Sequence, residues 1–419
     1  MNYFEYKNHE LYCEKVPVAQ VAEKVGTPFY LYSYHTLVRH FRVFDDAFKT
    51  IPHLICYSMK ANSNLALLRL FVNLGGGVDI VSGGELHRAL KAGVEPQKIV
   101  FAGVGKGGEE IESALKAGIL MFNVESTQEL EKINELAGRR ARKAPISIRV
   151  NPDIDAKTHP YISTGLKKNK FGIDIAASFA VYRQASRLPH IEVVGVDCHI
   201  GSQLVEASPF VEALQKLKRL VEDLRGEGMK IRYLDLGGGL GITYEDEEPP
   251  TPVEYAASIL DEIRGFNCTL ILEPGRVIAG NAGILVTKVL YTKENELKRF
   301  IIVDAGMNDL VRPSYYGSYH QILPVKEAER DEVVADVVGP ICESSDFLAK
   351  DRRIPQPHPG ELLAVMSAGA YGFSMSTNYN SRTRVAEVLV RDDEIHLIRQ
   401  RESYDDLLRG EQIPEFLLP

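Results

Sequence analysis

From Thr27 to Gly275 the chain alternates between short apolar runs and stretches with helical spacing of apolar residues, with Gly, Pro, Asn and Asp between them. The apolar runs predict strands at Phe29–Tyr32, Leu54–Ser58, Val78–Val81, Ile99–Ala102, Leu120–Val124, Ile146–Val150, Val193–Cys198, Tyr233–Leu236 and Leu270–Leu272. Helical periodicity falls between them at Leu65–Leu74, Glu85–Lys91, Ile111–Ala117, Thr127–Ala137, Pro209–Leu224 and Pro252–Ile263. Strands that take turns with helices imply a parallel sheet with helical crossovers. From Leu54 to Leu272 there are eight strands, which suits a closed (β/α)8 barrel, with an open doubly wound sheet as the alternative. Phe29–Tyr32 is then surplus and assignable to another domain.

After Gly275 the pattern changes. Apolar runs at Gly283–Tyr291, Phe300–Val303, Val333–Val338, Glu361–Met366 and Arg384–Val390 follow one another with few helical stretches, which predicts an all-β barrel or sandwich. The expected division is a barrel over 27–276 and a β-rich domain formed by 1–26 with 277–419. Glu245–Pro252 reads as a solvated acidic loop.

Composition narrows the function more than the fold. The 419 residues are 45% hydrophobic and 25% charged, with a net charge of −8 and no basic block, which disfavours nucleic acid and anionic membrane as partners. No apolar run is long enough to span a bilayer, and Met1 to Pro17 lacks the apolar segment of a secretory signal. The five cysteines are scattered without a C-x-x-C pair, which argues against a disulfide framework and against a metal site. A cytoplasmic location is expected.

The unusual polar clusters collect where the barrel strands end, the rim at which such barrels keep their sites. Lys60 follows the first strand, where partial burial favours a neutral, nucleophilic amine; the bland alternative is a snorkelling surface lysine. Asp79 with Ser82-Gly83-Gly84-Glu85 marks the second strand and Arg149 the fifth. Asp197-Cys198-His199-Ile200-Gly201-Ser202 ends the sixth, Asp235-Leu236 with Gly237, Gly238 and Gly239 the seventh, and Glu273-Pro274-Gly275-Arg276 the eighth. Three bare glycines let backbone amides approach an anion, and a helix is expected to follow them. The same run also matches an S-adenosylmethionine loop, or a turn with no ligand. His199 reads as a satisfied strand-end histidine or as a ring stacked on a flat cofactor. Glu273 reads as a partner of Arg276 or as the carboxylate that keeps a pyridine nitrogen protonated. Lysine, anion-binding amides and a glutamate for a ring nitrogen together describe pyridoxal 5'-phosphate. In the β-rich part, Arg312 with Tyr315 and Tyr316 offers groups for a carboxylate. Cys342 and Glu343 lie on a polar loop, and Tyr371 sits in a small-residue loop expected to be flexible. Cys342 is a buried structural thiol or a proton donor.

These segments resemble the diaminopimelate decarboxylase family of fold-type III pyridoxal-phosphate enzymes, from Thr27-Pro28-Phe29-Tyr30 to Asn378-Tyr379-Asn380-Ser381-Arg382. Tyr57–Asn62, Ser82–Glu85, Lys170-Phe171-Gly172, His199–Ser202, Gly237–Gly239, Glu273–Arg276 and Gly369–Phe373 carry the likeness. Thr158-His159-Pro160-Tyr161-Ile162 and Cys342–Asp346 are the more particular segments. The resemblance implies a Schiff base at Lys60, with His199 packed on the pyridoxal ring and Glu273 on its nitrogen. It implies that Asp79, Ser202, Gly237, Gly238, Gly239, Gly275, Arg276 and Tyr371 complete the cofactor site. Arg276, Arg312, Tyr316, Glu343 and Tyr371 would hold the substrate, meso-2,6-diaminopimelate, which would yield L-lysine and CO2. Cys342, the expected proton donor, and Glu343 would come from the partner in a homodimer whose sites lie at the subunit interface. Ornithine or arginine decarboxylation is the nearest alternative. An amino-acid racemase, a single-barrel pyridoxal-phosphate carrier and a methyltransferase fit less well. The polar 153–169 loop is a candidate lid.

Overall fold

The computed structural model describes residues 2–154 and 169–418. The Thr158–Ile162 segment, and most of the candidate lid, lie outside the described residues. The chain forms two compact units: Leu37–Gly280, and Met1–Thr36 together with Asn281–Pro419.

The first unit is a closed barrel of eight parallel strands: β1 His53–Ser58, β2 Gly77–Ile80, β3 Ile99–Phe101, β4 Met121–Val124, β5 Ala144–Asn151, β6 Ile191–Asp197, β7 Tyr233–Asp235 and β8 Thr269–Leu272. Each pairs with the next, β8 with β1 and β4 with β5, so the sheet has no open end and the doubly wound alternative is excluded. The two-residue strand Ile173–Asp174 adds outside β5. Cys56, Val100, Met121, Val194 and Ile271 bury together as one apolar cluster of this unit. Crossover helices start where the sequence supplies a cap. Asn64, Ser82 and Ser126 each accept a backbone N–H of the first turn, and Thr251 with Glu254 forms a reciprocal capping box. Ser82 caps its helix by accepting from Glu85 N at 3.2 Å, while Glu85 Oε2 accepts from Val81 N at 2.7 Å. The Ser82–Glu85 motif is thus a helix start at the rim.

The second unit is built on a sheet in the order Phe347–Pro355, Glu332–Val338, Arg299–Val303, Gly283–Glu294, Phe29–Ser33, Ala386–Arg391, Glu394–Arg399. Leu362–Val365 branches from Gly283–Glu294, and Ile322–Pro324 pairs with Leu362–Val365. Phe29–Ser33 lies inside this sheet, antiparallel to Gly283–Glu294 and parallel to Ala386–Arg391. Residues 27–36 therefore pack with the β-rich unit, where the surplus strand Phe29–Tyr32 was assignable, although the boundary drawn at 27 counted them with the barrel. The physical reason is pairing: Phe29, Leu31, Ile284, Val286, Val388 and Val390 bury one shared core.

Candidate active site

Strand register places the rim chemistry. In β5, β6 and β7, Arg149, Asp197 and Asp235 are side by side, and Ser58 of β1 faces Asp79 of β2. Lys60 lies in the single turn Met59–Ala61 that follows β1. Its Nζ is 2.9 Å from Asp79 Oδ2, which also accepts from Ser58 Oγ at 2.8 Å. The lysine side chain keeps 36% of its exposure while that of Asp79 keeps none. The amine is thus partly buried, as expected, and an ion pair to Asp79 holds it in place.

Around it stands a ring of buried acids. Asp235 accepts from Gly237 N at 2.9 Å and from Asn123 Nδ2 at 3.1 Å, and Ser147 donates to Asn123 Oδ1. Burial, then the neighbouring carboxylates, push the Glu273 carboxyl well above its ordinary range. Burial and Asp235 do the same to Asp197, against the pull of Arg149. Glu85 is pushed up to about 7, again mainly by burial. Arg149 is anchored by Glu125 at 2.9 Å. These supports, Asn123, Ser147 and Glu125, were not singled out from the sequence; a polar Asn123 inside the apolar β4 was the available signal.

The loops after β7 and β8 interlock. Glu273 N donates to Gly237 O at 2.7 Å, and a Cβ on Gly238 would stand 2.2 Å from Glu273 O. Gly237 and Gly239 have φ of +64° and +117°, backbone states that side-chain-bearing residues rarely adopt. The expected helix does not follow these glycines; the next one begins at Pro252, because the polar, Pro-rich loop intervenes. Gly275 instead precedes the short helix Arg276–Ala279. Arg276 donates to Tyr244 Oη at 2.7 Å and to Ser202 Oγ at 2.9 Å, which brings Ser202 and Arg276 together. His199 Nδ1 accepts from Gly238 N at 3.2 Å, which ties the imidazole to the glycine loop. Removal from water, with Arg149 and Lys60 nearby, pushes its pKa well below the usual value, so the ring is neutral.

Lys60, Asp79, His199, Ser202, Gly237–Gly239, Glu273, Gly275 and Arg276 thus lie at the rim of one barrel. A flat pyridoxal phosphate suits these residues on two observations. Glu273 Oε1 is buried with no hydrogen-bond partner among the described residues, so it can take a ring N–H. A Cβ on Gly237, Gly238 or Gly239 would come within 2.6 Å of His199, the Glu273 carbonyl or the Gly201 carbonyl, so only bare backbone fits this cradle.

The other expected residues belong to the second unit. Arg312 is buried in the short helix Arg312–Tyr316, where the rings of Tyr315 and Tyr316 meet edge to face at 4.8 Å. Cys342 is exposed, against the buried alternative, and its N–H donates to Asn380 Oδ1 at 2.8 Å. Tyr379 donates its hydroxyl to Glu343. Tyr371 has φ +56° in a loop whose Ala368 and Ala370 are fully buried, so this loop is packed where flexibility was expected. All five cysteines are free, and no metal-binding cluster occurs among the described residues.

A closed parallel barrel with this rim defines a pyridoxal-binding decarboxylase domain. The family described as pyridoxal-dependent decarboxylase, pyridoxal binding domain, matches residues 34–280, nearly the span of the barrel unit. A diaminopimelate decarboxylase of Haemophilus influenzae is 53% identical, over 97% of this chain and 98% of that protein. The crystal structure of diaminopimelate decarboxylase from Helicobacter pylori complexed with L-lysine superposes with a TM-score of 0.91 at 48% identity, over 94% of this chain and 98% of that one. The M. jannaschii enzyme, in co-complex with L-lysine, gives 0.94 at 40% identity over 99% of both chains. The chain belongs to the diaminopimelate decarboxylase family of the pyridoxal-dependent decarboxylases. Among the described residues no helix is long and apolar enough to cross a membrane.

Proposed function

We propose that this protein decarboxylates meso-2,6-diaminopimelate to L-lysine and CO2. The observation that carries the reading is similarity to diaminopimelate decarboxylases over the whole chain, the β-rich unit included. Pyridoxal phosphate, when bound, supplies an electron sink for the pair left behind as the Cα–carboxylate bond breaks. Lys60 is the amine that anchors its aldehyde, and Asp79 holds that amine in position between turnovers. Glu273 accepts the ring N–H. The neutral His199, fixed by its bond from Gly238, would pack against the ring. The glycine loop at 237–239 and the backbone at Gly275, with Ser202, Arg276 and Tyr371, would receive the phosphate.

The substrate carries an amino acid at each end, so its far end needs an anion site beside an ammonium site. Arg276, Arg312 and Tyr316 supply the first and Glu343 the second. A site built from charged groups rejects analogues that would leave them unpaired. Cys342 gives its thiol proton to Cα once CO2 has left, and the thiolate regains a proton from solvent. Cys342 and Glu343 serve the site of the partner subunit, which makes the homodimer the active form. Five free thiols suit a reducing, cytoplasmic setting.

Product analysis decides the reading. Purified protein with pyridoxal phosphate should release CO2 and lysine from meso-diaminopimelate. Turnover of ornithine or arginine in its place would move the assignment to the basic amino-acid decarboxylases.

A further inference from the structure

His320 is fully buried in the β-rich unit, four residues past the helix that carries Arg312. Its Nε2 lies 3.0 Å from Arg312 Nη1, and its Nδ1 lies 2.8 Å from the carbonyl oxygen of Met366. Each contact fixes the other's chemistry. A guanidinium only donates, so Nε2 must be the acceptor; a carbonyl only accepts, so Nδ1 must carry the hydrogen. Both contacts are satisfied together by one form of the ring, the neutral Nδ1–H tautomer. Arg312 Nη2 donates further to Ser318 Oγ at 3.3 Å, and the Arg312 carbonyl receives Ser318 N at 3.4 Å. The histidine backbone is held from the far side. Arg352 Nη1 donates to the His320 carbonyl at 2.8 Å, and its guanidinium lies 3.8 Å from the centre of the Tyr319 ring.

A carboxylate in place of this imidazole would orient Arg312 equally well, but would cancel its charge. A neutral acceptor fixes the plane of the guanidinium and leaves the positive charge intact for an anionic ligand. We infer that His320 is a positioning residue for the substrate-carboxylate clamp: as a neutral acceptor it aims Arg312 without neutralising it. This rests on the reading of Arg312 as a carboxylate clamp.

The test is steady-state kinetics of the holoenzyme on meso-diaminopimelate with three variants. In His320→Asn the amide reproduces the contact to Met366 but does not reach Arg312. KM should rise about 10- to 30-fold with kcat within about 2-fold of the parent, the signature of lost uniform binding. In His320→Gln the amide oxygen reaches the position of Nε2, and most of the loss should be recovered. Arg312→Lys should raise KM at least as much as His320→Asn. If Arg312→Lys raises KM and His320→Asn does not, the positioning role fails while the clamp stands. If Arg312→Lys leaves KM unchanged, the clamp itself fails. Should the His320 variants not fold, nitrogen NMR of the unsubstituted holoenzyme decides instead. A neutral Nδ1–H imidazole for His320 is expected, and an Nε2–H or doubly protonated ring overturns the inference.

Discussion

Lys60 Nζ and Asp79 Oδ2 are 2.9 Å apart, joining the end of β1 to β2 across the register pair Ser58 and Asp79. The ion pair presets the lysine at the rim, so the group that would react is ordered by the barrel itself. Replacing Lys60 by Ala should abolish the long-wavelength absorbance of a bound pyridoxal aldehyde and lower kcat by at least about a thousand-fold, about 4 kcal/mol in the barrier. Absorbance before and after borohydride treatment checks the attachment; a Lys60→Ala protein that still traps the aldehyde would place the anchor elsewhere.

Glu273 should show stability and activity moving in opposite directions. Its folded pKa, like those of Asp197 and Asp235, is raised by burial above the unfolded value. Between the unfolded carboxyl range, about 4, and these higher folded values, the native state binds more protons than the unfolded one. Stability of the cofactor-free protein should therefore fall as pH rises through that window. Glu273→Gln removes a carboxyl that must take up a proton, or stay charged out of water, to be buried, so its melting temperature at pH 7 should rise while turnover drops by about 100-fold or more. Thermal melts at several pH values, without cofactor, provide the check; a flat pH dependence would refute the assignment of buried acids.

Gly238→Ala should expel the Glu273 carbonyl from its present place, since the new Cβ would approach to 2.2 Å. The cost should be about 1–3 kcal/mol of stability, with weaker cofactor binding than in the parent. Titration of the apoprotein with pyridoxal phosphate measures the second effect; unchanged affinity would separate this loop from the phosphate.

Subunit sharing can be read from mixed dimers. Lys60→Ala and Cys342→Ala should each be nearly inactive alone. When subunits exchange freely, roughly a quarter of parental activity should return, because half the dimers then hold one intact composite site of two. No recovery after verified exchange would show that both residues act within one chain.

Every barrel strand was legible because each is a short apolar run bounded by turn residues, and the rim acids were legible because they sit where those runs stop. The helix Ile175–Arg187 escaped notice, since its Ala- and Ser-rich sequence gives a weak apolar stripe. Phe347–Pro355 was hidden by the charged Lys350-Asp351-Arg352-Arg353 in its middle. The supports of the site were least visible. Asn123 reaches Asp235 from a different strand, and Arg312 depends on His320 and Ser318, contacts that only folding creates. Lys60 shows the same limit: its place was readable, but the carboxylate beside it comes from β2.

The strand Phe29–Ser33 is clasped between Gly283–Glu294 and Ala386–Arg391. During synthesis the ribosome releases this segment early, yet one of its flanking partners emerges only after residue 391. The barrel has all of its own strands well before that moment, whereas the sheet around Phe29 must wait for nearly the entire polypeptide. Premature termination would leave a sticky apolar ribbon with one edge uncovered, and quality-control proteases would meet that nascent fragment as a half-finished sheet tethered to a complete barrel.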